Sequence, residues 1–241
     1  MENEQGTEDR RRFGNVFAGA RIRTYVQQGV LPPRIGVIGY GAGNIQSICN
    51  ALSVLGADAG PVDEPSAAEA LDGMVLPGVG AFPAAMQHLR HSGMADALRR
   101  AVIEKGIPML GICLGMQLLS ESSDEFEPTE GLGLVRGRTT RMACATLPLP
   151  HVGWNNVEIL GENPMYAGIP QDTHFYFDHS YAVSPDEPSA NGVAVYDMPF
   201  AASLCDGHVW GTQFHPEKSQ LWGLKLLRNF LDFVVRTRDA C

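Results

Sequence analysis

Cysteine is scarce and unpaired in this 241-residue chain: Cys49, Cys113, Cys144, Cys205 and Cys241 show neither the close pairs of a zinc site nor the spacing of a disulfide framework. A reducing, cytoplasmic setting is therefore expected, in which a thiol stays free to react. Positive charge is also short, with 18 Lys and Arg against 27 Asp and Glu, and the net charge of −9 argues against general binding to nucleic acid or anionic membrane. No apolar run approaches the roughly 18 residues of a membrane span, and no secretory leader with an apolar centre is expected. Any Walker pattern that would cradle a nucleotide phosphate is missing too. Neither metal nor cofactor is expected. What remains is chemistry done by side chains, in a chain 44% hydrophobic and long enough to bury one sizeable core.

Apolar runs alternate with helical periodicity through the first half. Arg34 to Gly39 reads as a strand, and Asn44 to Leu55 as a helix with Ile45, Ile48, Leu52 and Leu55 at helical spacing. Gly73 to Leu76 and Ile107 to Ile112 read as further buried strands, separated by helices around Pro83 to Leu89 and Ala95 to Glu104. This alternation predicts an α/β fold, a central mostly parallel sheet with helices on both faces. After Glu130 the runs become short and strand-like: Val152 to Leu160, Thr173 to Val183, Gly192 to Tyr196, Phe200 to Cys205 and Val209 to Phe214. They predict an antiparallel extension of the sheet. A final helix, Leu221 to Val234, carries Leu221, Leu224, Leu227, Leu231 and Val234 along one face, a core stripe.

The chemistry centres on Gly111-Ile112-Cys113-Leu114-Gly115, directly after a buried strand. A nucleophile on a strand-to-helix turn sits in strained backbone with neighbours pressing close, which suits the flanking glycines. The helix starting near Leu114 favours a thiolate at its N-terminus. About a hundred residues on, Phe214-His215-Pro216-Glu217 offers a base. Pro216 pushes His215 toward extended backbone, and an offset of two along extended chain puts His215 and Glu217 on one side. Glu217 can then orient the imidazole, the third role in a triad. Each piece has a plainer reading alone, Cys113 as a small core hydrophobe and His-Pro-Glu as a solvated turn. Together they fill complementary roles.

On these segments the chain resembles the class I, triad-type glutamine amidotransferases from about Arg34 to Phe233. Gly111 to Leu119 and Phe214 to Glu217 are shared with the wider group. Tyr40-Gly41-Ala42-Gly43-Asn44, Pro77-Gly78-Val79-Gly80, Pro150 to Asn155, His179-Ser180-Tyr181 and Lys218-Ser219 are similar to the glutaminase subunits of imidazole glycerol phosphate synthases. The resemblance implies hydrolysis of L-glutamine to glutamate and ammonia by Cys113, His215 and Glu217. It implies an oxyanion hole from the backbone N–H groups of Val79 and Leu114, with Gly78 and Gly80 flanking the loop. It also implies substrate contacts from Gln117, Ser180 and Tyr181, with Glu125 a candidate for the substrate ammonium. For Glu125 a solvated acidic loop, Glu121 to Glu130, is the plainer expectation.

Ammonia in neutral water is largely protonated and no longer nucleophilic, so such enzymes hand it over along a sheltered path. The resemblance implies a (β/α)₈-barrel synthase/cyclase partner forming a heterodimer, with Trp154, Asn155 and Lys218 at the interface. The chain departs from the pattern at Gly39, where an acidic residue is common, at Asp178, where an apolar one is usual, and at Pro148-Leu149, where a basic residue is frequent. Competing readings are a glutaminase for another pathway such as pyridoxal phosphate synthesis, a cysteine peptidase or other acyl hydrolase, and a non-catalytic regulatory subunit; the intact triad disfavours the last.

Residues 1–33 fall outside the resemblance and are expected to form a flexible or loosely docked extension, followed by an amidotransferase domain over residues 34–238. His174 and His179 look like a metal pair, but an offset of five in a strand puts them on opposite faces. His88 and His91 read as surface residues of a helix.

Overall fold

The computed structural model describes residue 25 and residues 29–41, 44–184 and 187–240. Ala42, Gly43, Cys241 and most of the N-terminal extension lie outside the described residues. The strands are β1 (Arg34–Ile38), β2 (Asp58–Val62), β3 (Gly73–Leu76), β4 (Met109–Ile112), β5 (Ser122–Ser123), β6 (Thr129–Glu130), β7 (Arg138–Arg141), β8 (His151–Ile159), β9 (Thr173–His179), β10 (Tyr181–Val183), β11 (Ala190–Tyr196), β12 (Met198–Asp206) and β13 (Val209–Thr212). The helices are α1 (Ile45–Val54), α2 (Phe82–His91), α3 (Met94–Ile103), α4 (Leu114–Leu119) and α5 (Gln220–Ala240).

Among the described residues one sheet runs β2-β1-β3-β4-β13-β12-β11-β8-β9. Its first five strands are parallel and the rest antiparallel. The predicted α/β architecture, a mostly parallel centre with an antiparallel extension, is what the chain adopts. Alternate residues of the central strands feed two cores. Val37, Val75 and Leu110 pack with α1 and α5, while Ile38, Met74 and Met109 pack with α2 and α3. A sheet covered on both faces explains why these strands read as unbroken apolar runs instead of alternating ones.

Some elements were not apparent in the pattern. β2 contains Gly60 and Pro61, a composition that argues against a strand; it is tolerated because β2 is the sheet edge, where a missing N–H costs no ladder bond. The acidic stretch contributes β5 and β6 to a second sheet, ordered β10-β7-β5-β6. The core face of α5 is Gly223, Leu226, Leu227, Phe230, Leu231 and Val234, while Leu221 and Leu224 are only half-buried. Ahead of β1, Tyr25 is buried, hydrogen-bonds Asp232 at 2.8 Å and lies under the Arg228 guanidinium, so this part of the extension docks on α5.

The chain order turns back at β1, with β2 on one side and β3 on the other. Ligand crevices in such sheets open beyond the carboxyl ends of the strands at this kind of switch. Tyr40 follows β1, Pro77 follows β3, Cys113 follows β4 and His215 follows β13, all at that end.

Candidate active site

Cys113 caps the N-terminus of α4 at φ 55°, ψ −112°. L-residues avoid this region at a cost of about 1–3 kcal/mol, held here by the surrounding structure. Its N–H donates to the Thr212 carbonyl at 2.7 Å, and its own carbonyl accepts from Gln117 N at 3.2 Å. The turn also needs α4 to lie almost on the strands. A Cβ on Gly115 would stand 1.8 Å from the Leu76 carbonyl oxygen, so only glycine fits. The sulfur ends at the floor of a cleft, with the residue 5% exposed.

His215 is reached from the neighbouring strand. Its backbone is relaxed, φ −97°, ψ 99°, and its N–H donates to the Tyr176 carbonyl at 2.9 Å. The extended course expected through Glu217 is replaced by a 3-10 turn over Pro216–Lys218, with Pro216 at its first position, where a missing N–H is harmless. This turn brings Glu217 Oε1 to 2.9 Å from His215 Nδ1, both side chains buried. Ser219 Oγ braces it, donating to the His215 carbonyl at 2.6 Å and accepting from Tyr176 N at 3.0 Å. Burial alone would lower the His215 pKa. Hydrogen bonds and charge from Cys113 and Glu217 outweigh it and raise the imidazole to about 9. At neutral pH the site therefore holds an imidazolium facing the sulfur.

The cleft encloses about 240 Å³ and is lined by Val79, Gly80, Leu114, Gln117, Glu125, Ser180, Tyr181 and His215 around Cys113. That is below the ~300–1,000 Å³ typical of drug-sized ligands and suits a small metabolite. Val79 is about half exposed. Gly78 lies beneath the lining, where a Cβ would stand 2.3 Å from Tyr40 Oη and 2.7 Å from Leu114 Cβ. Tyr40, buried, donates its hydroxyl to the Pro77 carbonyl at 2.7 Å and so anchors the loop that carries Val79. Gln117 donates Nε2 to the Tyr181 carbonyl at 2.8 Å. That carbonyl also receives His179 Nδ1 at 2.9 Å, and the Ser180 carbonyl receives Met142 N at 3.0 Å.

Glu125 corrects the expectation of a solvated loop. It is buried, and its Oε2 accepts from Phe82 N at 2.8 Å at the start of α2. A carboxylate there meets the free N–H groups and positive end of a helix, which outweighs the pull of solvent. The flanking acidic residues mask it in the sequence.

Two histidines lie beside the site, His179, set aside above as a metal ligand, and His151, given no role of its own. His151 and His179 are both buried, His151 Nδ1 3.1 Å from His179 Nε2. A carbonyl can only accept, so His179 carries its proton on Nδ1 toward Tyr181, and its Nε2 must accept from His151 Nδ1. His151 Nε2 then accepts from Asn155 Nδ2 at 3.4 Å. Burial lowers His151 to about 4 and, with the neighbouring His151 and His215 charges adding to it, His179 to about 3. His174 is exposed on the opposite face of β9, and His88 and His91 are exposed on α2. Among the described residues no group of three or more His, Cys, Asp or Glu could hold a metal ion.

The residues expected at a partner interface do not all share a face. Trp154 is half exposed and meets Tyr176 edge-on at 6.1 Å, and Lys218 Nζ lies 5.5 Å over that ring. Asn155 points to the other side of β8 and donates to the Val195 carbonyl at 2.9 Å, as strand alternation requires. Gly39 has a physical reason: a Cβ there would stand 2.0 Å from Asp63 Oδ1, so Asp63 supplies a carboxylate to that space. Asp178 lines the cleft, with its backbone carbonyl 3.6 Å from Cys113 Sγ.

The family model for "Glutamine amidotransferase class-I" matches residues 37–233. The chain is 46% identical to a protein named imidazole glycerol phosphate synthase subunit HisH from Symbiobacterium thermophilum, covering 82% of this chain and 92% of the relative. It is 43% identical to one of the same name from Moorella thermoacetica, covering 86% and 98%. Among solved structures, PurLQS from Thermotoga maritima aligns with TM-score 0.65 at 19% identity, over 84% of this chain and 99% of that one. A glutamine amidotransferase from the same organism aligns with TM-score 0.59 at 17% identity, over 85% and 99%. Likeness at that identity concerns the fold alone.

Proposed function

The chain belongs to the class-I glutamine amidotransferase family, and from that premise we propose that it is the glutaminase subunit of an imidazole glycerol phosphate synthase. The observation that carries the chemistry is the buried array of Cys113, His215 and Glu217 at one end of a small cleft. The relatives' names, at 41–47% identity over most of the chain, support the pathway.

Glutamine enters with its side-chain amide over Cys113. The sulfur attacks the amide carbon, and the oxyanion is met by the N–H groups of Leu114 and Val79; losing one such donor costs about a hundredfold or more. His215, already protonated, gives its proton to the leaving nitrogen, and ammonia departs. His215 then takes a proton from the water that cleaves the thioester, and the intermediate collapses to expel the sulfur as thiolate, releasing glutamate and restoring the thiolate–imidazolium pair. Glu217 holds the ring so that Nε2 faces the sulfur. Gln117, Glu125 and the N–H groups of Ser180 and Tyr181 surround the amino-acid end.

Among the described residues none is placed for the acceptor half of the reaction. Ammonia passes to a second subunit, a (β/α)₈-barrel synthase/cyclase in a heterodimer docked on the Trp154 and Lys218 face. Among the described residues no helix is long and apolar enough to cross a membrane. The unit that carries the activity is the amidotransferase domain, residues 34–238.

The test is glutamate release from glutamine by wild type and Cys113→Ala, with and without a barrel subunit and its nucleotide ligand. Wild type is activated by the partner, and Cys113→Ala loses activity by about a thousandfold or more. Full activity in Cys113→Ala ends the mechanism. Indifference to every synthase/cyclase barrel, with activation by a pyridoxal-pathway barrel instead, reassigns the pathway.

A further inference from the structure

Gln213 follows β13, two residues before His215, and is completely buried. An amide at that depth must have both ends satisfied. Its Oε1 accepts from Gln117 Nε2 at 3.1 Å, and its Nε2 donates to Cys113 Sγ at 3.8 Å, within reach for the larger sulfur atom. Its backbone N–H is fixed on the Ala202 carbonyl at 2.8 Å.

The direction of this chain is set by chemistry. The Tyr181 carbonyl can only accept, so the amino end of Gln117 faces it. The second Gln117 hydrogen then goes to an oxygen, which must be Gln213 Oε1, and the amino group of Gln213 is left facing the sulfur. On its other side the sulfur meets the Asp178 carbonyl at 3.6 Å. These two contacts favour opposite protonation states. A carbonyl can hold only the S–H form, whereas an N–H donor is strongest toward a thiolate.

We propose that Gln213 is a positioning residue for the nucleophile: its side-chain amide holds the Cys113 sulfur in the thiolate form facing His215 and ties it through Gln117 to the wall of the cleft. The inference rests on the reading of Cys113 as nucleophile. Without Gln213 the sulfur keeps His215 on one hand and the Asp178 carbonyl on the other, one N–H donor fewer stabilises the thiolate, and the balance shifts toward the thiol. The titratable groups around the sulfur are His215 with Glu217 behind it, Tyr40 from beyond β1, and Glu125, Asp178 and His179 on the cleft wall. All six are kept in the variants below.

The test needs neither glutamine nor a partner subunit. Alkylation by iodoacetamide is followed peptide by peptide by mass spectrometry across pH, with Cys49, Cys144 and Cys205 as internal references, in wild type and Gln213→Met. Losing a hydrogen bond to a charged group moves the midpoint of Cys113 alkylation up by about one to two pH units. The reference cysteines do not change. A purely structural role for Gln213 would lower the melting temperature without moving this midpoint. If the methionine variant melts too low to assay, Gln213→Asn reads the same quantity, since it keeps an amide in the core but withdraws it from the sulfur. A reactive Cys113 with an unmoved midpoint overturns the inference alone. A wild-type Cys113 that reacts no faster than Cys49 sinks the nucleophile reading and this inference with it.

Discussion

Three histidines within this one site are almost equally buried, His215 at 4%, His151 at 3% and His179 at 5% exposure, yet they are pushed in opposite directions. Desolvation pulls all three toward the neutral form. His215 nonetheless rises to about 9, because sulfur and carboxylate stand on either side of it. His151 and His179 fall to about 4 and 3, because what they meet is a carbonyl, an amide, each other and aromatic rings. His151 is stacked at 4.1 Å on Tyr196 and at 4.9 Å on Phe177. Depth therefore does not assign the role; the charge of the partners does. The protonated ring can deliver a proton to a leaving group, and the neutral pair keeps a second positive charge out of the cleft wall.

The largest expected effect separates the two kinds outright. His215→Asn lowers glutamine hydrolysis by about a thousandfold or more, the scale seen when a general acid–base is removed from a triad. Steady-state glutamate release with the partner present checks it. His151→Phe, which keeps the stacking and loses the hydrogen bonds, stays within tenfold of wild type. Equal losses in the two variants would break the distinction. Glu217→Gln comes next, with about a hundredfold loss or more, since the amide keeps the contact but not the charge that helps hold His215 protonated. Its sharper readout is the His215 NMR titration, which shifts down from about 9 in this variant.

The same contrast gives the stability curve two limbs of opposite sign. His215 binds its proton more tightly folded than unfolded, so its contribution is full below the ordinary 6.5 and is lost as pH rises through about 9. For His151 and His179 the unfolded chain binds protons more tightly. Their contribution is full above 6.5 and is lost as pH falls toward about 4 and 3. Urea midpoints measured from pH 4 to 10 show both slopes. Cys113→Ala flattens the alkaline limb, because the sulfur is one cause of the raised value, and His151→Phe flattens the acid limb. A variant that flattens the wrong limb contradicts the assignment.

The catalytic half of this contrast was legible in the sequence and the neutral half was not. Gly115 and Cys113 announce a sharp turn because a side chain collides there, and Pro216 marks the base's segment because it constrains the backbone. Local stereochemistry leaves a local mark. His151 and His179 are 28 residues apart and meet only because β8 and β9 pair with His151 opposite His179. The offset rule correctly separated His174 from His179, but strand register is a tertiary fact. Gln213 was missed and the burial of Glu125 was not foreseen for the same reason: their partners, the Cys113 sulfur and the start of α2, come from other parts of the chain. The parallel strands were clear from their apolar runs, whereas β2 was hidden by Gly60 and Pro61 at the edge.

The smallest expected effect lies at the outer end of the neutral pair and tests whether Asn155 belongs to it or to a partner surface. Asn155 Nδ2 reaches His151 Nε2 at 3.4 Å, a long contact, and the Val195 carbonyl at 2.9 Å. Removing it leaves His151 Nε2 without its donor and frees one carbonyl near the surface, so Asn155→Ala costs about 1 kcal/mol, visible as a drop of a few degrees in the melting temperature. Trp154 is its neighbour in sequence but faces the other way, half exposed beside Tyr176. Trp154→Ala leaves the melting temperature within about a degree and weakens activation by the partner, since a half-exposed indole contributes little to the fold and much to a docked surface. The two substitutions, one residue apart, should therefore move different observables. If Asn155→Ala abolishes partner activation at unchanged stability, Asn155 acts at the interface after all, and the neutral pair draws no support from it.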